Sequence, residues 1–279
     1  MSDPERQQVM SQEKYFMHSW THIFYLWKIR KIMLGKTTRD VLLHMPQETR
    51  RVIDLGCGPG ANLFDVFDMC SDIPEVQWYA LDLNIRLIGL GARRSRFRVS
   101  ERNMKAIHFL AGDISHLPLT DASIDMLLSS EVVEHLPNPQ PAIAEMTRVL
   151  KPGGYAFITT PNPHNLPVLL GYAIDRLSKG RFKKWYWQGN DAISAPPLGA
   201  EVGFEHVSVH SYCVWRAWLK EAGLQVIQKI RGPMVSGSPF FDRHRWLSAS
   251  MIALDPLLDR MPGRFLLSNN LGLLCQKRT

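Results

Sequence analysis

Short apolar runs that end in a carboxylate or a small polar residue alternate with stretches of helical period along most of this chain. Arg51-Val-Ile-Asp54, Gln77-Trp-Tyr-Ala-Leu-Asp82, Ile107-His-Phe-Leu-Ala-Gly-Asp113 and Ser123 to Ser129 read as four successive strands. A helix with Ile143, Met146, Val149 and Leu150 on one face follows. Lys151-Pro-Gly-Gly154 breaks it and launches a fifth strand, Tyr155 to Thr160. Val214, Trp215, Trp218, Leu219 and Ala222 share the face of a later helix. A sixth strand over Leu224 to Ile230 and a last one over Asn270 to Gln276 complete the pattern. Such alternation predicts an α/β fold, an open and mostly parallel sheet with helices on both faces. Ligands bind such sheets at the carboxyl ends of the strands, where Asp54, Asp82, Asp113 and Ser130 fall.

Three regions exceed what a sheet requires. An amphipathic N-terminal helix places Phe16, Trp20, Ile23, Phe24 and Trp27 at helical spacing, as packing or as a lid. Residues 161–205 and 232–269 are long additions, the second carrying Leu247, Met251, Leu254 and Leu258 at helical spacing. Long loops inside a compact domain are usually functional or disordered, and the Trp and Leu content of these predicts ordered pocket walls. The expected organisation is a helical lid segment over 1–45 and one ligand-binding domain over 46–279.

The most informative segment is Arg51-Val-Ile-Asp-Leu-Gly-Cys-Gly-Pro-Gly-Ala61. Gly56, Gly58 and Gly60 allow a sharp backbone turn and close approach of a ligand. A helix starting near Ala61 would aim its N-terminal amides at that ligand. Gly56-x-Gly58-x-x-Ala61 also matches the dinucleotide fingerprint, with Asp82 following. Asp54 and Pro59 argue against it: a carboxylate beside a pyrophosphate gains nothing, and Pro59 removes an amide from the loop. A cofactor with an amino-acid tail and a sulfonium fits an acidic loop better.

At this point the chain resembles the class I S-adenosylmethionine (SAM) methyltransferases. The ordered motifs that follow, Ser130-Glu-Val-Val-Glu-His-Leu136 and Leu150-Lys-Pro-Gly-Gly154 among them, are similar to the group containing the ubiquinone and menaquinone biosynthesis methyltransferases. The resemblance covers roughly residues 50–162, with a weaker echo at 204–230. It implies a Rossmann-like sheet of about seven strands whose last strand is antiparallel, and a product, S-adenosylhomocysteine, held in the same place as SAM. Cofactor contacts are implied at Asp54, Gly56, Cys57, Gly58, Gly60, Asp82, Leu83, Asp113, Ile114 and Ser130. Asp82 suits the ribose hydroxyls, and Asp113 lies beside the adenine amino group in the family.

Methyl transfer from a sulfonium is an in-line displacement, so the protein mainly holds the acceptor close and aligned. An oxygen or carbon acceptor also needs a base, and histidine is the natural candidate. His164 follows Thr160-Pro-Asn-Pro163 at the end of the fifth strand. His206 opens Glu205-His-Val-Ser-Val-His-Ser211, resembling the family's stretch in which a histidine leads into a helix. His206, His164 and Glu131 are the catalytic candidates; His210 is a weaker one, and His135 reads as structural. The four cysteines show no metal spacing and no cluster of carboxylates marks a divalent-metal site of the catechol type, so no metal is expected. The absence of an Asn-Pro-Pro-Tyr-like tetrapeptide after the fourth strand argues against amino methylation of the type that uses it.

Composition narrows the partners. The chain has 279 residues, 45% apolar and 21% charged, as a globular domain has. Four cysteines without pairing suit a reducing cytoplasm, and no run is long enough to span a membrane. The polar Met1-Ser-Asp-Pro-Glu-Arg start lacks a signal-peptide core. A net charge of +7 admits an anionic partner. Arg93, Arg94, Arg96, Arg98, Arg102 and Lys105 crowd one segment, either a solvated helix face or an RNA-tracking surface. Phe97 is the one aromatic there. The run Arg181-Phe-Lys-Lys-Trp-Tyr-Trp187 reads as a lining for a flat acceptor, an interfacial patch for peripheral membrane contact, or core aromatics.

The favoured expectation is methylation of an oxygen, nitrogen or carbon on a small-molecule acceptor, lipidic, quinone-like or a secondary metabolite, by a cytoplasmic monomer or homodimer. The rivals are an RNA-modifying methyltransferase, a non-catalytic SAM-binding partner and a nicotinamide dehydrogenase.

Overall fold

The computed structural model describes residues 28–46, 48–165, 169, 173–174, 176–179, 206–233, 245–258, 260 and 263–279. The aromatic N-terminal helix and the 181–187 run lie outside these residues, as does most of the first addition. Seven strands form one sheet in the order β3-β2-β1-β4-β5-β7-β6. They are β1 Arg50–Leu55, β2 Val76–Asp82, β3 Ile107–Ala111, β4 Ile124–Ser130, β5 Leu150–Pro161, β6 Leu224–Arg231 and β7 Asn270–Lys277. The pairs β3-β2, β2-β1, β1-β4 and β4-β5 are parallel, and β7 runs antiparallel between β5 and β6. The expected Rossmann-like sheet and its antiparallel last strand are therefore present.

Alternation along the strands divides the core in two, because successive side chains point to opposite faces. Val52, Trp78, Met126, Leu128 and Phe157 face α1 (Thr37–His44), α2 (Ala61–Cys70) and a π-helical stretch at Lys28–Lys36 that contributes Met33 and Leu34. Ile53, Leu55, Leu81, Leu127 and Ile158 face α4 (Gln140–Val149) and α5 (Tyr212–Glu221), where Ile143, Met146, Trp215 and Leu219 are buried. With both faces covered, the inner strands are continuous apolar runs, as buried parallel strands must be. Between β2 and β3 lies α3 (Ile85–Arg98), whose cap Asn84 accepts N–H bonds from Arg86 and Leu87.

The Lys151-Pro-Gly-Gly154 segment departs from its expected role. It ends α4 but belongs to β5 itself: Leu150 pairs with Ile124, and pairing resumes at Tyr155 with Met126 after a shift of register. Gly153 takes a positive φ of 75° in this bulge, a conformation that costs glycine little. The expected break is an irregularity within the strand. In the second addition α6 (Arg245–Leu258) bears out the helical spacing there, with Leu254 on an exposed position and Asp255 buried 3.6 Å from Arg231. Among the described residues no helix is long and apolar enough to cross a membrane.

Candidate active site

The glycine turn joins β1 to α2 and is built almost wholly from backbone. Gly56 and Cys57 donate N–H bonds to the Leu81 carbonyl at 2.7 and 3.1 Å, and Gly60 donates to Cys57 at 2.9 Å. Gly58 donates to Asp82 Oδ2, and Asn84 donates to Asp82 Oδ1, each at 2.8 Å. Asp82 thus ties the turn to the end of β2 while each oxygen keeps a lone pair for a further donor. Gly56 has a φ of 67°, and a Cβ there would stand 2.4 Å from a Val132 methyl. Gly58 has a φ of 52°, and a Cβ there would meet nothing within 4 Å. One glycine is needed for packing and conformation, the other borders open space where a ligand fits.

Asp54 sits beneath this turn. It is 2% exposed, and its Oδ2 has no hydrogen-bond partner. Burial, with Asp82 close by, pushes its carboxyl up to about 7. A cationic group entering the turn would relieve both penalties. The ammonium and sulfonium of SAM have that charge, and the α2 N-terminus, capped by left-handed Gly60, offers amides to a carboxylate. Leu83 remains 66% exposed beside Asp82, and Ile114 is buried next to Asp113, an apolar edge of the kind an adenine ring covers. Asp113 Oδ1 accepts the Ser115 N–H at 2.7 Å. The residues present fit SAM.

The other side of the site begins where β4 ends. Ser130 is buried, its hydroxyl 3.1 Å from Thr159 Oγ1. Glu131 follows in the left-handed region with a φ of 56°, a strained conformation for a non-glycine residue. The strain is held by three bonds: its N–H donates to the Thr159 carbonyl, and its carboxylate accepts from Thr159 Oγ1 at 2.9 Å and Asn270 Nδ2 at 2.7 Å. Each Glu131 oxygen accepts one of these bonds, which fixes the carboxylate against β5 and β7.

A second group forms just beyond it. Glu134 is fully buried, and neither carboxylate oxygen has a hydrogen-bond partner. Burial, reinforced by Glu131, pushes its carboxyl well above the usual range. Its carbonyl accepts the N–H groups of Val207 and Ser208 at 3.0 and 2.9 Å, which clamps the 206–211 segment against this turn. His206 and His135 rings consequently meet with centroids 5.0 Å apart. Partial desolvation and then His135 lower the pKa of His206, whose side chain still reaches solvent, and so favour its neutral form. Ligand atoms of Glu134, His135 and His206 all lie within 4.8 Å of one another.

The remaining histidine candidates separate from this group. His164 is exposed, and its backbone N–H donates to Asn162 Oδ1. His210 accepts or donates at Ser208 Oγ, 2.9 Å away, and packs edge-on against Trp215 and Trp218. Its surroundings are those of a packing residue. Sequence reading passed over Glu134 as a functional group and took His135 as structural. The one local sign is the succession Glu131, Glu134, His135 just after β4; His206 lies far from it in sequence.

Comparison with known proteins gives the family and the fold. A family model described as a methyltransferase domain matches residues 46–195. A phthiotriol/phenolphthiotriol dimycocerosates methyltransferase of Mycobacterium ulcerans is 31% identical over 122 residues, covering 44% of this chain and 41% of that protein. A malonyl-[acyl-carrier protein] O-methyltransferase of Pseudescherichia vulneris is 32% identical over 154 residues, covering 53% and 56%. The chain spans between 34% and 56% of the length of the first curated relatives it matches. A SAM-dependent methyltransferase from Aquifex aeolicus shares the fold with a TM-score of 0.53 at 14% identity, covering 90% of this chain and 93% of that one. A chain of the complex between the Haloferax volcanii Trm112 methyltransferase activator and a methyltransferase does so with a TM-score of 0.55 at 17% identity, covering 93% and 96%. The chain belongs to the methyltransferase-domain family, the SAM-dependent enzymes of this Rossmann-like fold.

Proposed function

We propose that this chain transfers a methyl group from SAM to a protic atom, oxygen first, of a small-molecule acceptor, with His206 receiving the acceptor's proton. The observation that carries the reading is the His206 ring packed beside His135, 5.0 Å between centroids, on a segment bonded to the turn that follows β4. A neutral imidazole is a competent base near neutral pH, whereas Glu131 already accepts two hydrogen bonds.

On the cofactor side, Asp54 would face the ammonium and Asp82 the ribose hydroxyls. Gly56, Cys57, Gly58 and Gly60 would line the amino-acid tail, with Leu83, Asp113 and Ile114 around the adenine. The bound cofactor supplies a methyl group already activated on a sulfonium. What the protein adds is alignment of the acceptor, exclusion of water and removal of one proton. Glu131, held by Thr159 and Asn270, positions the acceptor-side turn. The N-terminal segment 1–45 would cover the site, and the additions at 161–205 and 232–269 would wall the acceptor pocket. Exposed Trp246, Leu254 and Leu257 on α6 support an apolar wall.

Two observations favour a small molecule over RNA. Two relatives are named for methylating phthiotriol dimycocerosates and malonyl-[acyl-carrier protein], neither a nucleic acid. On α3, Arg98 is turned to Asp65 and Asp68, which neutralises part of the arginine cluster that a phosphate backbone would need. A cytoplasmic location accords with the unpaired cysteines.

Calorimetric titration with S-adenosylhomocysteine and, separately, NAD tests the cofactor: binding of NAD alone would overturn the assignment. Radiolabelled methyl transfer into lipid and metabolite extracts, with RNA in parallel, tests the acceptor class. His206→Ala should retain cofactor affinity and lose roughly 10²- to 10⁴-fold in turnover. Full activity in that variant would remove His206 from the mechanism.

A further inference from the structure

Glu134 poses an electrostatic problem that the methyl-transfer reading leaves unanswered. Its side chain is fully buried with both oxygens unpartnered, and the charge closest in effect, Glu131, is of the same sign. A buried carboxylate costs several kcal/mol unless it is paired or coordinates a metal. Two imidazoles, His135 and His206, stand within reach. We infer that Glu134, His135 and His206 hold a divalent transition-metal ion.

Three features carry this. The ligand atoms lie within 4.8 Å of one another. Ligands about 2.1 Å from a common ion stand roughly 3.4 Å apart, so the group must contract, and exposed His206 is the member with room to move. The backbone is already arranged for it: Glu134 offers its carbonyl to Val207 and Ser208, so the two segments that bear the ligands cannot separate. The third feature is donor chemistry. Two neutral imidazoles with one carboxylate suit Mn²⁺, Fe²⁺, Co²⁺ or Zn²⁺, whereas Mg²⁺ and Ca²⁺ prefer all-oxygen sites.

Three protein ligands leave coordination positions open. A cation here would take an acceptor oxygen, lower the pKa of its hydroxyl and orient it; the released proton would pass to water, and His206 would serve as a ligand in place of its role as base. That use rests on the methyl-transfer reading above; the existence of the site does not. Glu131, bonded to Thr159 and Asn270, would serve as a neighbouring positioning residue outside the ligand set. Spacing along the chain could not announce the site, because His206 arrives from the far side of β5.

The test uses untagged full-length protein stripped of metal and titrated with Co²⁺ alone. The expected result is visible ligand-field absorption that saturates at one equivalent and is bleached by Zn²⁺. His206→Ala and His135→Ala should each weaken Co²⁺ binding by at least about 10- to 100-fold. His44→Ala, on α1, should titrate as the wild type does. Glu134→Gln, checked for folding by circular dichroism, should also weaken binding; His206→Ala alters an exposed side chain, so it keeps the test decisive if the buried variant fails to fold. Absence of the bands in the wild type, or a wild-type titration in His206→Ala, would overturn the inference. S-adenosylhomocysteine binding is measured on the same samples. If it persists while Co²⁺ binding fails, the metal site alone is lost; if Co²⁺ binds and the cofactor does not, the methyltransferase reading fails instead.

Discussion

Two buried carboxylates stand just past or within adjacent strands, and the chain surrounds them differently. Asp54, on β1, lies under a turn made of main-chain amides, all of them close to it in sequence or supplied by the end of β2. Glu134, after β4, lies among side chains brought from a distant segment by two backbone hydrogen bonds. Each has an oxygen with no partner, and each is pushed toward protonation by burial. The difference lies in what can change. A backbone-built pocket tolerates many side chains and fixes one cofactor; a side-chain-built pocket can be retuned by single substitutions. The same fold can therefore keep SAM while its acceptor chemistry varies.

The comparison breaks most completely at Gly56. Gly56→Ala puts a Cβ against Val132 and forces a side chain into positive φ, at a cost of about 2–4 kcal/mol. Thermal unfolding should fall measurably and S-adenosylhomocysteine binding should disappear. Survival of both would mean the turn is not the cofactor cradle. Asp82→Ala removes the acceptor for two loop amides and for the ribose. At about 1.5–3 kcal/mol per bond to a charged group, cofactor affinity should drop roughly 100-fold by calorimetry, leaving the Glu134 group unaffected.

A titration sharpens the contrast further. Asp54 moves from 3.8 to about 7 on folding, so between those values the folded chain holds a proton that the unfolded chain has released. Stability of the ligand-free protein should fall as pH rises through that window. The groups that face Asp54 are Asp82, which adds to the rise, and Cys57, whose thiol burial keeps protonated. A cation bound at the turn favours ionised Asp54, so S-adenosylhomocysteine should bind roughly three- to tenfold tighter at about pH 8 than at about pH 6. In Asp54→Asn the slope should flatten. A slope unchanged in that variant would assign it to another group.

The smallest effect is expected from α3. Arg93→Ala, Arg94→Ala and Arg96→Ala combined should change stability by no more than about 1.5 kcal/mol, about 0.5 kcal/mol each, and leave turnover alone at any salt concentration. If the triple variant loses a salt-dependent RNA complex of the parent, the cofactor side has a second partner and the small-molecule reading is wrong.

The cofactor side was legible from residue order because its determinants are local. Gly56, Gly58, Gly60 and Asp82 act through main-chain geometry, which spacing encodes, and the strands around them follow an apolar alternation that the sheet repeats. Even the Lys151-Pro-Gly-Gly154 break of the helix was visible; only its place inside β5, as a bulge, depended on pairing with β4. The acceptor side was not legible in the same way. The meeting of His135 with His206 needs the Val207 and Ser208 amides to dock on Glu134, a contact between segments separated by β5 and the first addition. His164, equally plausible by position, ended on the surface because its neighbour Asn162 bonds to Asn269 and Leu266 and steers the chain outward.

The placement of β7 has a consequence for how the chain is made. β5 exposes an unpaired edge from the moment it forms, and β6 cannot join it directly, because β7 lies between them. Until the last strand emerges from the ribosome, the half-built sheet carries an open, largely apolar border. Open edges invite pairing with other chains. A nascent or truncated chain that stops before Asn270 would therefore be a template for aggregation, and the final strand is the latch that makes the protein safe at cellular concentration.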